Sequence, residues 1–161
     1  MRRLATRVFA PLSLVLVSAC AGYVVSPTAP PDDKTPANAA KVCVVRVGSD
    51  GALLTFPFRD NNVLVGATIG GSCFCYLAGV GHHELEARSD GFDSLAIDVE
   101  AQKEYYVVQA TRAAVGIVRS RLELLQGDEG RSAMQKCQYS VLTQVPEGTY
   151  LNKPGAVVVA K

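Results

Sequence analysis

The chain has only two histidines, His82 and His83, and none beyond them. That absence excludes a hydrolase of the nucleophile-elbow kind, whose histidine follows its nucleophile. Gly70-Gly71-Ser72-Cys73-Phe74 is one glycine short of such an elbow and has no later imidazole to serve it. The glycines from Gly66 to Gly71 lack the lysine and the following helix of a phosphate loop. An excess of charge is missing too. Sixteen basic side chains meet 15 acidic ones for a net +1, with no basic patch, so nucleic acid is not an expected partner. No apolar run reaches the roughly 20 residues that span a bilayer. Asp90, Asp93, Asp98 and Glu100 lie in a turn and on an outward strand face, where solvated carboxylates belong. Neither an enzyme nor a cofactor is expected.

What is present begins at the N-terminus. Met1 to Arg7 holds Arg2, Arg3 and Arg7 and no acid, and an apolar run follows from Val8 to Ala19, broken by Pro11. A basic flank and a run too short to span describe a signal peptide. The run ends in Val17-Ser18-Ala19-Cys20, which resembles the lipobox of bacterial lipoproteins, whose cysteine is diacylated and whose leader is removed. The alternative is ordinary secretory cleavage near Ala19 that leaves Cys20 a free thiol. Each buried acyl methylene contributes about 0.8 kcal/mol, so two or three chains on Cys20 anchor permanently where one does not. Ala21, in place of an acid, resembles the outer-membrane sorting pattern. The expected address is the cell envelope, lipid-anchored in the outer membrane and facing the periplasm.

Of 161 residues, removing the first 19 leaves 142, enough for one domain. Without Arg2, Arg3 and Arg7, 13 basic side chains face 15 acidic ones, a net −2 for the mature chain. The expected organisation is a signal peptide over 1–19, a lipidated cysteine with a flexible tether over 20–40, a β-sandwich over 41–143 and a C-terminal tail over 144–161. The tether reading rests on Pro27, Pro30, Pro31, Asp32, Asp33 and Pro36. As a coil it spans roughly 25 Å or more.

From Lys41 onward, short apolar segments alternate with Gly, Asp and Asn, the punctuation of an all-β domain. Val42 to Val47 places Cys43, Val45 and Val47 on one face. Leu53 to Phe58 and Val63 to Val65 flank the turn-forming Asp60-Asn61-Asn62. Ser72 to Ala78 sets Cys73, Cys75 and Leu77 against Ser72, Phe74 and Tyr76. Glu84 to Arg88 points Leu85 and Ala87 inward, and Ser94 to Glu100 does the same with Leu95, Ile97 and Val99. Glu104 to Ala110 is apolar on both sides, and Val118 to Leu124 alternates. Roughly seven or eight strands at spacings of about ten residues imply a sandwich of two antiparallel sheets. One short helix is expected over Asp128 to Lys136. The tail is expected to be loose apart from Ala156 to Ala160, an apolar stretch able to add a strand to its own sheet edge or a partner's.

The order of landmarks carries a resemblance. Val42 to Arg46 is followed by Asp60-Asn61-Asn62-Val63-Leu64-Val65-Gly66 and Gly71-Ser72-Cys73-Phe74-Cys75-Tyr76. Then come Gly81-His82-His83-Glu84-Leu85, Lys103-Glu104-Tyr105-Tyr106-Val107, and Gly130-Arg131 before the helix. Over residues 41–140 this resembles the domain of unknown function 2846, a family of small bacterial lipoproteins. Asn62 stands where that family often has Gly, and Val80 where it often has Pro. The resemblance implies a transthyretin-like or carrier-like sandwich and no established activity; such folds host many roles.

Four cysteines follow Cys20: Cys43, Cys73, Cys75 and Cys137. In an oxidising compartment they are expected to pair. Cys73 and Cys75 lie two apart on one strand with diverging Cβ atoms, unsuited to each other. The preferred pairing joins Cys43 to one of them and Cys137 to the other. One bond with two buried thiols is the alternative.

A metal-binding or thiol-redox reading would instead use Cys73, Cys75 and His83, since thiolates with imidazole suit copper or zinc. Adjacent histidines on a strand face opposite ways, so only one could join; His82 reads as a turn residue and His83 as half-buried. Phe74 and Tyr76, placed on an outward face beside Val42 and Val44, read either as a binding surface or as the second buried face of a central strand. The leading expectation is a non-catalytic envelope lipoprotein. Its partners are the membrane, through lipid, and another envelope component.

Overall fold

A computed structural model describes residues 22–32 and 34–161. The signal peptide over 1–19 and the lipidation site at Cys20 lie outside the described residues. Among the described residues there are eleven strands and one helix: β1 Val24–Pro27, β2 Ala39–Val47, β3 Phe56–Asp60, β4 Val63–Thr68, β5 Ser72–Gly79 and β6 Gly81–Arg88. They continue as β7 Phe92–Val99, β8 Glu104–Ala114, β9 Ile117–Leu125, α1 Gly127–Lys136, β10 Gln138–Gln144 and β11 Val157–Val158. The expected all-β sandwich with one short helix is what forms.

The larger sheet runs β1-β10-β5-β2-β8-β9, with β11 also on β5; the smaller runs β4-β3-β6-β7. The smaller is antiparallel throughout, whereas the larger is mixed: β2 with β8, β10 with β5 and β11 with β5 are parallel. An apolar period of two fixes which residues share a face and not the direction of the neighbour, so the antiparallel expectation needed this amendment. The β3–β4 hairpin turns at Asn61 and Asn62, both with positive φ (48° and 68°), a conformation asparagine tolerates and hairpin turns require.

The main core lies between the sheets. Val42, Val44, Phe74, Val107 and Leu122 come from the larger sheet, and Phe58, Leu85, Ala87, Ile97 and Val99 from the smaller. The Phe58 and Phe74 rings meet edge-on at 6.0 Å across the interface. Phe74, Tyr76, Val42 and Val44 therefore face inward, reversing the expected phase; the cysteine face looks out. Both faces of β2 and β5 are apolar, and the outer one is covered by a second cluster of Val45, Cys73 and Tyr139 under Ala133 and Met134. Sequence alternation has no means of ranking two apolar faces.

Two expectations about the ends also change. Inside the stretch expected as a tether, Val24–Pro27 pairs antiparallel with β10, and Ala39 and Ala40 are fully buried at the start of β2. Short apolar pairs such as Val24-Val25 gain burial only when a partner strand is available. In the tail, Leu151 bridges Leu64, and Val157 and Val158 pair with Leu77 and Ala78. The final apolar stretch thus occupies the flank of β5 that β10 leaves free.

Register divides the molecule into two ends. Ala40 and Ala78 stand at one level, with the turns at 61–62, 79–81 and 100–103 and the C-terminus, and β10 runs toward that end with Val24 opposite its last residue, Gln144. The loop 48–55 and the β8–β9 turn stand at the other.

Candidate functional site

Chemistry-bearing side chains gather in three places. The first lies between the sheets. Asp60 ends β3 and His83 is the third residue of β6, both with 0% exposure. His83 Nδ1 lies 2.8 Å from each Asp60 oxygen, and Nε2 lies 2.9 Å from the Gly79 carbonyl. A carbonyl only accepts, so Nε2 carries a proton and donates. Nδ1 facing a carboxylate requires a second proton between them, which makes the unit neutral overall. Burial raises the Asp60 carboxyl above its usual pKa, opposed by the hydrogen bond and charge of His83. The Tyr76 phenol, on the facing sheet, is pushed well up by burial and then by the charge and hydrogen bond of Asp60. His83 was expected half-buried; it is wholly enclosed because a carboxylate and a carbonyl satisfy both of its ring nitrogens.

The second place is the outer face of the larger sheet. Cys43 and Cys75 stand directly opposite on β2 and β5 and are bonded, with Cα atoms 4.0 Å apart. Cys73 is bonded to Cys137 just past α1, with Cα atoms 5.8 Å apart. The preferred pairing is the one that forms. Asp128 and Glu129 in the first turn of α1 and Lys136 in the last complement its dipole. Gly130, its buried residue, lies against the Tyr106 ring so closely that any Cβ would enter the ring. Helix, sheet and disulfide thus form one packed layer. Between α1 and the end of β2 runs an open groove of about 720 Å³, walled by Val45, Val47 and Ala133 with Asp128, Glu129 and Lys136 at its rim.

The third place is Arg46, at the inner end of β2. It is 1% exposed and faces no carboxylate. Its guanidinium donates instead to the carbonyls of Leu54 and Gly51, each at 2.6 Å, and more distantly to Thr68 and Asp50. Its carbon lies 4.2 Å from the Phe56 ring centre. Burial lowers its pKa. Arg46 thereby holds the loop 48–55 onto the sandwich. Its only sequence signal is a charge at the end of an otherwise apolar strand.

Cys73, Cys75 and His83 are not brought together. The two sulfurs point away from the interior and are oxidised, while His83 points into it from the other sheet. Among the described residues no three His, Cys, Asp or Glu side chains gather as a metal-binding group. His82, in contrast, is exposed and pairs with Asp98 directly across β7 at 3.0 Å.

These features define a disulfide-braced, two-sheet β-sandwich. Scans against models of protein families, curated proteins and solved structures find no match.

Proposed function

We propose that this protein is a cell-envelope lipoprotein, anchored through lipid on Cys20, whose sandwich is a non-catalytic binding or structural module. The observation that carries the non-catalytic half is the engagement of its chemical groups. All four domain cysteines are bonded, and both ring nitrogens of His83 are occupied within a closed interior. A histidine acting as acid–base catalyst needs a free ring nitrogen within reach of substrate, and a cysteine nucleophile needs a free thiolate. The anchored half rests on Arg2, Arg3 and Arg7, the apolar run and Val17-Ser18-Ala19-Cys20. The two disulfides support an oxidising address. The resemblance to lipoproteins of the domain of unknown function 2846 is in keeping with both halves, as is an outer-membrane, periplasm-facing position with another envelope component as partner.

Two measurements test this. Mass spectrometry of the mature N-terminus should find acylated Cys20, and Cys20→Ser should move the protein from membrane to soluble fractions. An unmodified N-terminus overturns the anchor. Titration of the purified, non-reduced protein should find no free thiol; two or more titratable thiols with copurified copper or zinc would favour the metal-binding or thiol-redox alternative.

A further inference from the structure

We propose that the sandwich stands end-on against the bilayer, with the end formed by Val24, Val80, Tyr150 and Val159 in contact with the lipid surface and the β8–β9 turn pointing away. The inference rests on the lipoprotein reading of Cys20 and adds to it an orientation and a contact surface.

The argument starts from chain length. A twenty-residue coil would let the domain float free, but β1 begins at Val24, four residues after Cys20. Four residues reach at most about 14 Å. Val24 pairs with Gln144 at the end of β10, which starts parallel to β5 and runs toward the end where β5 finishes, so the chain leaves the sheet toward Cys20 on that side. Whatever holds Cys20 must lie close to that end. β8, with 11 residues, extends about 35 Å, which keeps its far turn well clear of the anchor.

Both ends expose apolar side chains, and the short link to Cys20 selects the near one for the bilayer. Val159 is 78% exposed, Tyr150 70% and Val80 53%, and Val24 is also exposed. They come from four separate segments that run toward the same end of the sandwich. Val80 lies in the turn between β5 and β6. Val159 follows the last strand, where its carbonyl accepts from Asn61. Tyr150 precedes Leu151, the bridge partner of Leu64 beside the β3–β4 turn. An aromatic with a polar tip among aliphatic side chains suits a headgroup boundary. Two of the lysines there are internally matched, Lys103 to Glu100 and Lys161 to Glu84, which leaves the apolar side chains as the main contact.

The chain contains no tryptophan, so one introduced residue reports alone. The acylated full-length mature protein, carrying Val80→Trp, Val159→Trp, Leu53→Trp or Val115→Trp, is reconstituted into vesicles of phosphatidylethanolamine and phosphatidylglycerol with brominated acyl chains. Leu53 and Val115, 96% and 104% exposed, mark the opposite end. Val80→Trp and Val159→Trp should shift to the blue and lose about half of their emission, as interfacial side chains do. Raising salt should not restore it. Leu53→Trp and Val115→Trp should emit as in water and remain open to iodide. If one variant at the anchor end fails to fold, the other gives the same reading. Equal behaviour of the two ends, or quenching only at Leu53 and Val115, overturns the orientation while acylated protein still floats with vesicles. Shielding of Val80→Trp from iodide without bromine quenching means that a protein covers that end, which also overturns it. Unacylated protein that stays in solution defeats the lipoprotein reading itself.

Discussion

Asp60 and His83 are diagonal neighbours on adjacent strands. Asp60 pairs with Leu85 on β6, and His83 lies two residues before Leu85 on the same inward face, its Nδ1 2.8 Å from both carboxylate oxygens. Two ionisable groups inside an apolar layer are tolerated because each satisfies the other and the Gly79 carbonyl takes the remaining donor. The pair ties β3 to β6 and fixes the chain where it crosses between sheets.

Removing one partner should therefore be far worse than exchanging it. His83→Ala leaves a buried carboxyl unpaired and should cost about 3 to 5 kcal/mol in urea unfolding. Asp60→Asn keeps a donor toward Nδ1 and should cost about 1 kcal/mol or less. Equal losses from the two would show that the contact contributes nothing specific.

The same carboxyl gives a pH dependence of known sign. Burial holds its folded pKa above the unfolded value of 3.8, so the native state binds that proton more tightly. Its contribution favours the folded state at low pH and declines as pH rises through the folded pKa. The stability of the unsubstituted protein relative to Asp60→Asn should fall between about pH 4 and neutrality. A gap that widens with pH would contradict the assignment.

The disulfides close loops with sequence separations of 32 and 64. In the chain-entropy model each contributes roughly 3.5 to 4.5 kcal/mol. Replacing Cys73 and Cys137 together by Ser should lower stability by about that amount. It should also speed amide exchange in α1 more than in β6 or β7, because only the helix loses its covalent tie.

Gly130 offers a test against intrinsic preference. Alanine in a helix interior normally gains about 1 kcal/mol over glycine. Here the added methyl would enter the Tyr106 ring, so Gly130→Ala should destabilise by about 1 to 3 kcal/mol. Pairing it with a smaller residue at 106 should recover part of the loss, measurable as a double-mutant cycle.

Arg46→Met removes the donors that hold the Leu54 and Gly51 carbonyls. A loss of roughly 3 kcal/mol is expected, with faster amide exchange over 48–55. Arg46→Lys should not rescue it, since an ammonium lacks the planar fork that reaches both carbonyls.

Much of this architecture was legible from residue order. Leu95, Ile97 and Val99 alternate with polar neighbours, so the inward face of β7 could be read directly. Asn61-Asn62 marked a hairpin because few residues accept positive φ twice in succession. The divergence of Cys73 and Cys75 argued against their joining each other and made Cys43 and Cys137 the preferred partners. The buried sites were less accessible. Nothing local distinguishes His83 from a surface histidine, because its partner lies 23 residues away and meets it only through the β3–β6 register. Arg46 is similar: its acceptors are backbone carbonyls, which every residue has.

Composition and periodicity by themselves determined an all-β domain and four cysteines suited to bridging, since these depend on residue type and short-range spacing. Tertiary structure alone decided that β2 and β8 run parallel and that Phe74 faces inward while Cys75 faces out. It also decided that Val24–Pro27 joins a sheet in place of swinging as a tether. Backbone hydrogen bonds are the same for every residue, so a strand's partner, direction and buried face are chosen only when distant segments compete to cover the same apolar surface.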